Sequence, residues 1–182
     1  YTPGNSQLID ITGVLDYAGI GGGSASIFHR SKVSGSVVEE TYAQSTWESN
    51  TTGINWSYSH IFSLDFQSLK VGRLRFFLVK NGAPEKLMEI TNDNIRNSGY
   101  WQLPSLPVYW RIYNDATNTY MEMGYGDEEN GVGLRYTITK NASATMKAIC
   151  ATVKSEGGKS LQDLPGYSRS VDMGVSEKTV ST

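Results

Sequence analysis

Apolar and polar residues alternate with a period of two in the clearest strand-like stretch of the chain. Between Ser57 and Phe66, the residues Tyr58, Phe62, Leu64 and Phe66 share one parity while Ser57, Ser59, Ser63 and Asp65 share the other, and Ile61 breaks the rhythm. Such alternation turns one face of an extended strand toward a core and the other toward water. Stretches of β-branched and aromatic residues predict strands at 7–15, 25–33, 36–42, 56–66, 72–79, 87–91, 108–113, 118–123 and 133–139. Gly, Ser, Thr and Asn punctuate them at spacings that favour a sandwich or barrel over alternating strands and helices. The expected fold is all-β: an antiparallel β-sandwich, with a jelly roll as the candidate winding and little helix.

Asn81-Gly82 supplies the positive φ of a tight hairpin between the strand ending at Val79 and the run from Leu87 to Ile90. Residues 92–106 read as a long loop anchored by Tyr100 and Trp101. In 142–153, Met146, Ile149, Cys150 and Val153 match helical spacing, while Ile149, Ala151 and Val153 match strand alternation. The β-branched content and the β surroundings favour strand. From Ser155 onward the periodicity fades. The expected organisation is a β-sandwich domain over 1–155 and an extended segment over 156–182, the truncated start of a further β region.

A chain of 182 residues and 20.0 kDa is large enough for one well-filled core. Its formal net charge of -2 lacks the basic field of a general nucleic-acid binder. Apolar runs such as Phe76-Phe77-Leu78-Val79 stop far short of the roughly 20 residues of a membrane-spanning helix. The expected partners therefore include neither nucleic acid nor membrane. The single Cys150 removes an internal disulfide framework and any multi-cysteine metal site. Tyr1 in place of Met points to processing or to a longer product.

Candidate chemistry is sparse. The Gly-rich stretch 19–24 leads into a strand, whereas a phosphate cradle leads into a helix. Gly158-Lys159-Ser160 resembles the end of a phosphate-binding loop, but Val153 stands where its first Gly belongs. His29 and His60 lie far apart on separate strands, with no metal-ligand spacing between them. No Gly-x-Ser-x-Gly elbow accompanies the serines. Asp127-Glu128-Glu129-Asn130 reads as a solvated acidic turn and lacks the spaced carboxylates of a calcium loop. The acids Asp10, Asp16, Glu39, Glu40 and Asp65 show no spacing that selects a catalytic pair. Three glycosylation sequons, at Asn50, Asn55 and Asn141, carry almost no information, since about two arise by chance in so Ser- and Thr-rich a chain. No catalytic residue, metal site or cofactor is expected.

The aromatic residues Trp47, Trp56, Tyr58, Trp101, Tyr109 and Trp110 could pack a core, bury at a subunit contact, or form a platform for a sugar ring. Packing is the ordinary role of such rings. Trp47, Trp56, Tyr100, Trp101 and Trp110 are accordingly read as core or interface anchors.

The run Ile27-Phe28-His29-Arg30-Ser31-Lys32-Val33-Ser34-Gly35 is followed by the Gln44 to Trp47 and Asp65 to Leu69 steps. Lys70-Val71-Gly72-Arg73-Leu74-Arg75-Phe76-Phe77, Leu106-Pro107-Val108-Tyr109-Trp110 and the run from Ile149 to Gly158 complete the series. In order and spacing these segments resemble a group of tailed-phage and environmental-virus structural proteins, over more than half of the chain. Lys70 replaces a Gly of that pattern, the acidic loop 127–130 looks inserted, and similar chains continue beyond the segment matching 167–175. The resemblance implies a virion component: a capsid decoration, head-fibre or tail-fibre module with no catalytic residue. The expected function is non-enzymatic and structural, by self-association as a homotrimer with other virion proteins as neighbours. The alternative is a carbohydrate-binding adhesion module that presents exposed Trp and Tyr to a host-surface glycan.

Overall fold

A computed structural model of the chain describes residues 8–16, 23–49, 53–56, 58–67, 72–92, 107–140, 144–156 and 176–180. Eleven strands occur in them: β1 (Leu8–Asp16), β2 (Ser24–Val33), β3 (Ser36–Ala43), β4 (Ser59–Gln67), β5 (Leu74–Lys80), β6 (Ala83–Ile90), β7 (Val108–Asn114), β8 (Asn118–Gly126), β9 (Gly131–Thr139), β10 (Ala144–Glu156) and β11 (Ser176–Val180). One sheet has the order β11-β10-β1-β4-β5-β6 and the other β3-β2-β9-β8-β7. Every ladder is antiparallel. The fold is an all-β sandwich. A 3₁₀ turn at Gln44–Thr46 is the one helical piece among the described residues.

The inner faces follow the period-two pattern. Phe62, Leu64 and Phe66 of β4 and Leu74, Phe76 and Leu78 of β5 meet Ile27, Met121, Met123, Val132 and Leu134 of the second sheet in one buried cluster. Phe66 and Tyr125 join the two layers with ring centroids 4.9 Å apart. Burying a large apolar side chain contributes about 1.5–3 kcal/mol, so these rows hold the layers together. Two of the nested pairings that wind a jelly roll are present, β1 with β10 and β2 with β9, while β4-β5-β6 and β7-β8-β9 run as plain meanders.

Two hairpins turn on two left-handed residues each. Asn81 (φ 53°) and Gly82 (φ 80°) link β5 to β6, and Ser34 (φ 51°) and Gly35 (φ 84°) link β2 to β3. Positive φ at both central residues matches the right-handed twist of the flanking strands. The first turn is the one the Asn-Gly pair predicts. The second was not singled out in the sequence, because Ser-Gly is a weaker signal.

Some boundaries differ from expectation. β6 begins at Ala83, earlier than predicted, because Pro84 is tolerated on an edge strand. The β5-β6 register slips between Phe76 and Phe77, leaving Leu87 as the extra residue of a bulge. The Leu87 carbonyl then accepts from the Glu48 backbone N–H at 2.8 Å, which ties the segment after the 3₁₀ turn to this edge. β4 starts at Ser59 and not at Trp56, because the Tyr58 N–H is drawn back onto the Asn55 carbonyl at 3.0 Å. Tyr58 is consequently exposed at 67%, and Ile61, the residue out of rhythm, lies on the outer face. The ambiguous 142–153 stretch is strand from residue 144 onward, within β10, and β11 pairs with β10.

Candidate functional site

The outer face of the β3-β2-β9-β8-β7 sheet carries a row of charges crosswise to the strands. Each strand gives one: Glu39 on β3, Arg30 on β2, Arg135 on β9, Glu122 on β8 and Arg111 on β7. The ladders place Arg30 opposite Glu39, Arg135 opposite Glu122 and Arg111 opposite Glu122, so unlike charges face each other at every direct pairing.

Glu122 is the centre, with 0% of its side chain exposed. Its Oε1 accepts from Arg30 Nη2 (3.2 Å), Arg135 Nε (2.7 Å) and the Tyr113 hydroxyl (2.8 Å). Its Oε2 accepts from Arg111 Nη2 (2.9 Å) and the Tyr109 hydroxyl (3.3 Å). Glu39 takes a bidentate clasp from Arg135 Nη1 (2.6 Å) and Nη2 (2.8 Å), and Arg30 Nε adds a bond at 2.9 Å. Phe28 lies between the two arginines, which stand 5.0 and 4.8 Å from its ring centroid. It is fully buried although it belongs to the outward parity of β2. Its ladder partner is Gly133, whose own partner is Gly124, so no side chains crowd the face there.

The charges hold one another ionised. Burial alone would raise the Glu39 carboxyl, but hydrogen bonds and charge from Arg135, joined by Arg30, hold it down at about 2. Burial also opposes ionisation of Glu122, and Arg135, Arg30, the Tyr113 hydroxyl and Arg111 together keep it below the usual glutamate range. Burial, then the charge of Glu122, pushes the Tyr113 phenol up to about 12. Tyr109 rises for the same two reasons. The network ties the five strands of the sheet together.

The anchors named from sequence fall elsewhere. Trp47 and Trp56 are buried and meet edge to face, with centroids 6.2 Å apart. Trp47 Nε1 donates to the Tyr42 carbonyl (3.1 Å) and Trp56 Nε1 to Gln44 Oε1 (2.9 Å). Trp110, on β7, packs partly buried against the core, and its Nε1 has no partner among the described residues. Tyr100 and Trp101 lie outside the described residues. Of the three that are described, Trp47 and Trp56 are brought together. Neither presents an open face to a sugar, and Tyr58 is the aromatic residue left most open among the described residues.

Among the acids weighed as catalytic, Asp65 is paired with Arg75 Nε at 2.8 Å and Glu39 belongs to the charged row. Asp127 spends its carboxylate on the backbone N–H groups of Glu129 (2.8 Å) and Asn130 (2.7 Å), a self-capped turn. No cluster of metal-binding side chains occurs among the described residues. Arg30, Arg111, Glu122 and Arg135 were missed by sequence reasoning. The one available signal was their shared outward parity with Tyr109, Tyr113 and Tyr120, a pattern that normally marks a solvated face. Compared with protein-family models, with curated proteins and with solved structures, the chain matches none.

Proposed function

We propose that the chain is a structural, self-associating module of a virus particle, a capsid decoration, head-fibre or tail-fibre component whose working form is a homotrimer. The particle assignment rests on the resemblance of the six ordered segments described above. The association rests on one observation, the outer edge of β3. This strand ends its sheet, no strand pairs with its far side among the described residues, and Val37 and Val38 stand 48% and 49% exposed on it. A sheet edge with unpaired N–H and C=O groups is a template for another strand.

Symmetry narrows the partner. Pairing β3 with β3 across a two-fold axis would stop at a dimer, so a trimer needs β3 to meet a different edge of the next copy. The opposite edge, β7, carries Arg111 and no acid, while β3 carries Glu39 and Glu40 and no base. Joining the two would continue the sheet from copy to copy without placing like charges side by side.

Mass measurement by light scattering tests this reading. The expected result is three times the 20.0 kDa chain mass, falling to the single-chain mass in a Val37→Lys/Val38→Lys variant that touches no core position. A wild-type chain that stays at the single-chain mass at high concentration overturns it.

A further inference from the structure

β6 ends the six-stranded sheet, and no strand pairs with its far side among the described residues. A sheet margin of this kind invites pairing with another chain. Two main-chain groups, two residues apart, turn outward on it: the Leu87 carbonyl and the Glu89 N–H. Glu48 meets both. Its backbone N–H donates to the Leu87 carbonyl at 2.8 Å, and its Oε1 accepts from the Glu89 N–H at 3.0 Å. One residue thus supplies the donor and the acceptor that a neighbouring strand would otherwise bring.

The residues around Glu48 hold it in place. Trp47, just before it, is buried, stands edge to face with Trp56 and donates its Nε1–H to the Tyr42 carbonyl. Ser49, just after it, sends its N–H to the same Leu87 carbonyl at 3.4 Å and its hydroxyl to Glu85. Oε2 of Glu48 pairs with Lys86 Nζ at 3.1 Å. Pro84 brings no N–H to the edge. The stretch left to cover is therefore short, and a single residue covers it.

We infer that Glu48 is a plug that keeps the β6 edge closed to a second copy of the chain, and that its withdrawal turns this edge into a dimer interface. The edge is complementary to itself. Across a two-fold axis at Met88, Leu87 of each copy comes opposite Glu89 of the other, so the freed carbonyl and N–H satisfy each other in both directions. The side chains of the plug are half open to water, with Glu48 48% and Lys86 39% exposed. Exposed ion pairs hold weakly, so the plug is one that can be drawn. It acts on a different sheet from β3 and β7, and it stands whether or not those edges join copies.

Light scattering on the Val37→Lys/Val38→Lys parent, with and without Glu48→Pro, tests this. The substitution deletes both the N–H and the carboxylate, and Trp47, at φ -71° and ψ 150°, already has the backbone that a following proline requires. The expected mass is at least twice that of the parent, whatever the parent's own state. Adding Glu89→Pro, which removes an N–H aimed away from the β5 ladder, returns the mass to the parent's. Glu48→Ala is a milder second variant that keeps the main-chain bond to Leu87. In it, amide exchange at Glu89 should quicken about tenfold in dilute solution and slow again as chain concentration rises. A folded Glu48→Pro chain that keeps the parent's mass overturns the inference, as does a mass gain that survives Glu89→Pro. Should Glu48→Pro fail to fold, a Glu89 exchange rate in Glu48→Ala that ignores concentration overturns it alone.

Discussion

Glu122 carries its charge into a site closed to water, and the groups around it decide whether that is tolerable. A buried carboxylate without partners costs several kcal/mol, whereas three guanidinium groups and two phenols saturate its lone pairs here. Glu39, at the rim of the same network, makes the arrangement sensitive to acid. Above the ordinary glutamate range it is ionised in the folded and the unfolded chain alike, and the ion pairs contribute in full. As pH falls through about 4.5 the unfolded chain takes up the proton first, and stability drains away until the folded carboxyl follows at about 2. Denaturant titrations across that window should show wild type losing on the order of 2–3 kcal/mol more than Glu39→Gln. An unchanged slope in the variant would place the acid sensitivity elsewhere. The sequence displayed Glu39 as an acid, but its partners lie 9 and 96 residues away, and no local spacing points to them.

Among the elements, the β8-β9 pair is the most demanding of its sequence. At Gly133 an added Cβ would run into the Met123 carbonyl oxygen, and at Gly124 into that of Val132. The two glycines sit opposite each other in the ladder, so the strands close to a separation that no side chain permits. Gly133→Ala should therefore destabilise the chain by about 1–3 kcal/mol or more, read as a lowered melting temperature, while Gly35→Ala, with open space around its Cβ, pays only the positive-φ penalty. Equal losses at the two sites would mean that crowding is not what requires Gly133. Strand existence was legible here because Met121, Met123, Val132 and Leu134 alternate cleanly, and the Asn81-Gly82 turn announced its hairpin. The Leu87 bulge and the late start of β4 were not legible, since both are settled by hydrogen bonds to segments distant in the chain or drawn back on themselves.

For the molecule as a whole, the two-layer architecture followed from patterning, but the order of strands did not. Pairing β1 with β10 and β2 with β9 joins residues more than a hundred positions apart, and no turn chemistry encodes such a closure. If copies associate through the open edge of β3, folding and assembly are linked. The melting temperature should then rise with chain concentration, and that rise should vanish in the Val37→Lys/Val38→Lys variant. A melting temperature independent of concentration in wild type would argue for a self-sufficient monomer.

The five-strand row of charges bears on that edge. Running across the strands, it bolts both margins of the sheet to its middle, as a batten holds planks. β3 is thereby kept from fraying, and an arriving neighbour meets a stiff rail whose backbone groups are already set at the pitch of a sheet.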